Sequence, residues 1–323
     1  MTAQSYLNSA TPAFGIYNVG GIIDTGDGND TIINTNNITR ADLNRSINGI
    51  YNRSSTLNTG NGNDIITGNG IDNGFSGESG TLDTGDGDDT ITGIGIFGIQ
   101  NYWDIFNTGD GDDIITGNIT QIGYLAINNG RSMDTGDGND IITGNGRDSI
   151  GISNSAYINT GDGNDTITGI GFLAIFNSGI INTSNGEDSI ISQGNFINRG
   201  GVFLGDGNDS ITANTDFQVP ALENFNAIET GEGNDIVTSN GFIYNEGVIN
   251  TGNGDDSIIV DGGIDNITGN TYSIYNNGGS INTGNGNDSI IANEDFESAP
   301  NSSGSVFLGE SEDYLKGFGS GDF

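Results

Sequence analysis

The motif T-G-[DN]-G-[ND]-D-x-I recurs along the whole chain, and its spacing constrains the fold more than any other feature. The clean copy reads Thr25-Gly26-Asp27-Gly28-Asn29-Asp30-Thr31-Ile32. Further copies end at Asp64, Asp89, Asp113, Asp140, Asp165, Asp188, Asp209, Asp235, Asp256 and Asp288, with a degenerate one at Asp313. Eleven intervals span Asp30 to Asp313, about 26 residues each. A fixed period of this size predicts a solenoid, in which no unit buries its own apolar face and stacked neighbours complete it.

Aligning the copies on the terminal Asp exposes apolar columns. Two residues after it stand Ile32, Ile66, Ile91, Ile115, Ile142 and so on to Leu315, without a polar interruption. Seven residues before it stand Ile23, Leu57, Leu82, Phe106, Met133 and so on to Val306, again all apolar. Two such columns flanking a glycine loop predict two short strands, and their β-branched character fits strands rather than helices. A third column, about eleven or twelve residues before the Asp, reads I-x-N, as in Ile50-Tyr51-Asn52 and Ile152-Ser153-Asn154. Asn suits turns and bonds nearby backbone, so a stacked Asn in every unit predicts a corner ladder, each amide bonding the next. Three strands per unit predict an all-β, right-handed parallel β-helix of about twelve coils. At about 4.8 Å per coil it would be a rod roughly 55 Å long. Residues 1–14 read as a lead-in or cap and 15–323 as one continuous solenoid, the last coil degenerate from about 301.

The repeat lengthens where loops should emerge. The surplus between Asp30 and Asp64 holds Arg40 and Arg45; with Arg53, near Tyr51, they form the only local basic group and read as decoration of an outward loop. The surplus between Asp256 and Asp288 holds Asp261-Gly262-Gly263-Ile264-Asp265-Asn266-Ile267, which looks like a worn extra motif.

Composition agrees. Fifty-seven glycines fit a chain of tight corners. Forty-three acidic against seven basic residues give a formal charge of −36, whose self-repulsion opposes compaction unless cations intervene. Roughly ten Ca²⁺ would add about +20 and more than halve it. One Lys and six Arg argue against nucleic acid. Cys and His are absent, which excludes disulfides, the usual zinc, haem and iron–sulfur sites, and Ser-His or Cys-His catalysis.

The loop chemistry suits a hard cation. Ca²⁺ takes six to eight oxygens and mixes carboxylates with backbone carbonyls; glycine at two of six positions lets the chain turn sharply enough to aim carbonyls inward. Two loops stacked about 4.8 Å apart could hold an ion between coils. The units resemble the RTX, or haemolysin-type, nonapeptide G-G-x-G-x-D-x-U-x: Thr135-Gly136-Asp137-Gly138-Asn139-Asp140-Ile141-Ile142-Thr143 matches it from the second position onward. The resemblance covers nearly the whole chain from Gly15. It implies that Asp30, Asp64, Asp89, Asp113, Asp140, Asp165, Asp188, Asp209, Asp235, Asp256 and Asp288 are side-chain ligands of multiple Ca²⁺ stacked between coils, with loop carbonyls supplying most other oxygens. Two departures matter. The first family glycine is Thr in most copies and Leu204 and Leu308 in two. There is also one loop per longer coil, implying a single ion row; such coils resemble calcium-bound segments of bacterial adhesins. Ser184 and Glu187 make the Asp188 copy a weaker site.

The function expected is therefore a calcium-binding, secreted or cell-surface structural or adhesive rod, not an enzyme, that folds on binding its ions. No basic or apolar leader precedes the repeats, and cytosolic calcium is too low to fill weak sites. Export by a type I route without a cleaved signal is the expectation the resemblance supports. Partners beyond calcium are another copy of the chain, end to end or laterally, or cell-surface glycans; neither nucleic acid nor membrane insertion is expected. One alternative is ice binding by the Thr ladder of Thr25, Thr59, Thr84, Thr108, Thr135, Thr160, Thr183, Thr230, Thr251 and Thr283. Another is a non-catalytic module of a polysaccharide-active enzyme, or such an enzyme itself.

Overall fold

The computed structural model describes residues 15–34, 49–74, 79–103, 105–215, 219–266, 269–298 and 304–317. The expected lead-in 1–14, the surplus with Arg40 and Arg45, and the chain end from 318 lie outside them. The described chain is a parallel β-solenoid. A 12-stranded sheet collects the strands that enter the loops, from Ile22–Asp24 to Ser305–Phe307. A 22-stranded sheet collects the strands that leave the loops together with the Asn-bearing strands. These two rows form one sheet because they run without a break in the middle of the rod, at Thr166–Asn177 and Ser189–Asn198.

One coil illustrates the rest. Asp140 leads into the loop-exit strand Ile141–Asn145, a corner leads to the Asn strand Ile150–Asn154, and a second corner leads to the loop-entry strand Tyr157–Asn159. Each strand pairs in parallel with its counterpart one coil away, Ile142 opposite Ile167, Ile152 opposite Ile175 and Ile158 opposite Ile181. The three apolar columns point inward and fuse into a single core cluster from Ile32 to Ile290. A coil thus buries three apolar side chains completely, at roughly 1.5–3 kcal/mol each.

The I-x-N column forms the predicted ladder. From Asn18 to Asn276, each Asn Nδ2 donates to the Asn Oδ1 of the next coil at 2.8–3.1 Å. The same nitrogen also donates to a loop-entry carbonyl of that coil, as Asn129 does to Tyr157 O at 2.8 Å. Both bonds point the same way along the rod, and the column is buried.

The surplus at 261–272 departs from expectation. It forms a small antiparallel hairpin, Gly263–Ile264 against Thr271–Tyr272, outside both solenoid sheets.

Asn154→Ala should destabilise the rod more than Asn18→Ala in urea unfolding followed by circular dichroism. It would take from Asn177 Oδ1 and the Ile180 carbonyl the donor that each has in Asn154 Nδ2, at about 1–3 kcal/mol for each buried group left without a partner. Equal midpoints for the two variants would show that the ladder is incidental.

Candidate metal centre

Each loop links a loop-entry strand to a loop-exit strand through six residues, and most of its amides donate to a neighbouring coil. In the loop Thr135–Asp140, the Thr135 N–H donates to Asn159 O of the next coil at 3.0 Å, and the Gly138 N–H to Asp162 O at 2.9 Å. The Asp137 and Asn139 amides donate backward, to Asp110 Oδ1 at 3.2 Å and Asp112 Oδ1 at 2.8 Å. The Asp140 amide donates forward to Asp165 Oδ1 at 2.8 Å. Where it can be seen, the Gly amide at the second position is capped by the last residue of the loop-entry strand, as Asp83 caps Gly85 at 3.3 Å. In this loop the third, fifth and sixth positions are thus served by short side chains with an acceptor oxygen, Asn or Asp, in the adjacent coils.

Glycine at the second and fourth positions is required twice over. Gly136 has φ +77° and Gly138 φ +151°. A Cβ on either would also overlap the carbonyl of Gly109 or Gly111 in the coil before. In the Asp188 copy, Ser184 takes the second position with φ +64°, a conformation that costs an L-residue about 1–2 kcal/mol.

The sixth position is where the residues singled out by the sequence converge. The carboxylates from Asp30 to Asp313 form an unbroken column. From Asp64 onward, each Oδ1 accepts the amide of the Asp one coil earlier, at 2.6–3.1 Å. The second oxygen is the anomaly. Oδ2 is buried without a hydrogen-bond partner at Asp30, Asp64, Asp89, Asp113, Asp165, Asp188, Asp209, Asp256 and Asp288. At Asp140 and Asp235 it accepts from the hydroxyl of Thr135 or Thr230 in its own loop.

Such burial disfavours charge. It pushes Asp113 up to about 8, Asp140, Asp165 and Asp209 to about 7, and Asp89, Asp188 and Asp256 to about 6. Loss of water is the main cause at each; neighbouring carboxylates add to it at most of them. Accepted hydrogen bonds, chiefly from the coil-to-coil amide and the Thr hydroxyl, work against it.

The residues present fit a hard cation at this column. A buried carboxylate oxygen without a hydrogen-bond partner recurs in nine of the coils, and in all of these but the Asp209 coil the first loop position is Thr. Among the described residues no three acidic side chains converge as a cage of side chains alone would need. A cation here would draw most of its oxygens from backbone and hydroxyl groups.

The Thr column, by contrast, corrects one expectation. Thr59, Thr84, Thr108, Thr135, Thr160, Thr183, Thr230, Thr251 and Thr283 are all buried. Seven of these hydroxyls bond inside the stack, as Thr183 Oγ1 donates to Leu204 O at 3.0 Å, and the buried column presents no hydroxyl array at the surface. β-branching suits the strand end, and the hydroxyl faces inward because the alternation of the loop-entry strand continues into the first loop residue. The surface array that the ice-binding alternative needs is therefore not formed by this column. The signal of the inward Thr was the pairing of Thr at the first position with Asp at the sixth.

No known family model matches the chain, and no curated protein matches it. Among solved structures it is similar to a hyperactive, Ca²⁺-dependent, β-helical antifreeze protein from an Antarctic bacterium, at 21% identity and a TM-score of 0.43, over 90% of this chain and 82% of that one.

The raised carboxyl pKa values set a pH dependence. A carboxyl whose pKa is higher in the folded state favours folding while protonated. That contribution is complete below the ordinary range near 4 and is lost as pH rises through about 6 to 8. In cation-free buffer, β structure measured by circular dichroism should fall on going from about pH 5 to pH 8 and return on acidification. A signal flat across that range would mean that the carboxylates are not buried in the cation-free protein.

Proposed function

We propose that this protein is a calcium-binding structural or adhesive β-solenoid of the cell exterior, which becomes stably folded when a row of Ca²⁺ occupies its loop edge. One observation carries the reading. The third and fifth loop positions interchange Asp with Asn, and in places Glu, yet the sixth is Asp in all twelve copies. An Asn there could accept the same amide through its Oδ1, so hydrogen bonding does not account for the restriction. The negative charge does, and at nine of the copies the second carboxylate oxygen is buried without a hydrogen-bond partner. A calcium ion would supply the compensating charge. The Asp Oδ2 atoms, the adjacent Thr hydroxyls and the loop carbonyls would hold it, in keeping with the preference of Ca²⁺ for mixed oxygen ligands.

Charge balance supports the same reading, since −36 on a thin rod favours a state that takes up cations. The prominent carboxylates are repeat elements, and such uniformity speaks for a scaffold rather than a catalyst. Loops of this kind bind in the range of extracellular modules, so the protein belongs where calcium is plentiful. The RTX resemblance favours one-step export.

At pH 8, Ca²⁺ should raise the β signal with a midpoint of roughly 10⁻⁴–10⁻³ M. Asp140→Asn keeps the amide acceptor and removes the charge. It should move the calcium midpoint upward and flatten the titration more than Asp30→Asn, because Asp140 has ordered coils on both sides. In cation-free buffer at pH 8 it should leave the rod no less stable than the native chain. A titration of Asp140→Asn that overlays the native one would sink the metal reading while leaving the fold intact.

A further inference from the structure

The loop-exit strands carry a second repeating feature. Their outward positions are the first and third residues after each Asp, as in Thr90 and Thr92, Ile114 and Thr116, or Ile141 and Thr143. They stand in register from coil to coil. From the coil of Asp30 to that of Asp288 there are twenty-two such positions, and every one is Thr, Ile or Ser. None is charged, in a chain with 43 acidic residues. Strand propensity does not explain this. Ser is a poor strand former, and the outward ends of the loop-entry strands carry Asp83, Asp134, Phe203 and Glu229. The restriction belongs to this one face. Several of its isoleucines stand well out of the sheet, Ile65, Ile114, Ile141 and Ile236 being 40–46% exposed.

We propose that this face is the lateral docking surface for a second copy of the chain. It is the strip along which two strongly negative rods can approach without bringing like charges together. Ten rises of about 4.8 Å by a width of roughly 14 Å give about 650 Å² per copy. The total of about 1,300 Å² lies within the range of stable protein interfaces, roughly 1,200–2,000 Å².

Charge also selects the arrangement. One border of the face is the acidic loop edge. The other is a column five residues after each Asp, neutral at Asn118, Asn145 and Asn214 and charged only at Asp261 among its described members. A two-fold axis parallel to the rods sets each loop edge opposite the partner's neutral column. The two loop edges then lie roughly 20 Å or more apart, at about 7 Å per outward position, beyond the screening length of about 8–10 Å. The rods in the pair therefore run parallel.

The test is sedimentation velocity over a concentration series, under conditions where circular dichroism shows the full β spectrum. The pairing is thereby judged on folded protein, whether or not calcium is the ion that folds it. The native chain should show a monomer–dimer equilibrium. Thr143→Glu with Thr168→Glu, on the face, should weaken it about a hundredfold, as like charges at an interface do. Tyr157→Glu with Ile180→Glu adds the same charge to outward positions of the loop-entry strands and should leave it unchanged. Because the chain has no Cys, dyes on Ile22→Cys should transfer energy strongly in parallel pairs. A native chain that stays monomeric at every concentration overturns the proposal, including one that depresses the freezing point as a monomer. Equal weakening by the two double variants overturns it as well, and absent energy transfer in an established dimer overturns the parallel arrangement.

Discussion

A column of carboxylates, one coil apart and shut off from water, is the constraint to which the rest of the solenoid answers. Each Asp reaches the amide of the coil before it through one oxygen, and this ties the loops into register. The other oxygen is left inside with a charge and no hydrogen-bond partner at most positions. The apolar core is narrow, one side chain per strand per coil, so it cannot alone hold such a column together. Charge compensation and coil-to-coil hydrogen bonding are thus joined at the same residue. The protein can cohere by protonating the column or by placing cations along it, and these respond oppositely to pH.

The two polar ladders divide the work. The Asn ladder fixes the corner between the Asn strand and the loop-entry strand. It is neutral, fully paired and independent of conditions. The Asp ladder fixes the loop and is conditional. A rod built on the first alone would be always assembled; built on the second alone, its axial order would follow the charge on the column. Together they give a structure whose corner register is set by hydrogen bonds and whose stability is set by charge.

Most of this architecture was legible in the sequence because in a solenoid the period is the structure. Ile142 and Ile167, or Asn129 and Asn154, occupy equivalent places, so reading the columns was reading the core and the corner. What was not legible concerns direction. The letters left open whether Thr135 and Thr160 form a surface array, as the ice-binding alternative requires; the inward alternation carries through the start of the loop and buries them. The outward Thr and Ile positions of the loop-exit strands drew no notice, because each is ordinary alone and only their register makes a face. The stretch from Asp261 to Ile267 resembled another loop in residue type, but Gly263–Ile264 pairs antiparallel with Thr271–Tyr272 instead. The division between Oδ1 and Oδ2 of each Asp could not be read from letters at all, since it depends on where the previous coil's amide points.

The spacing of the Asp column also has a mechanical meaning. Bonds between coils run along the rod, so tension between its two ends loads them head-on and opens the stack one layer at a time. Successive Asp residues are separated by 21 to 34 residues of chain. Each layer that lets go would therefore release roughly 70–120 Å of slack, at about 3.3–3.6 Å per extended residue, against an original rise of about 4.8 Å. Each layer that opens lengthens about twentyfold while the remaining layers stay whole. The extension of the rod under force would be a staircase whose uneven treads reproduce the uneven repeat lengths.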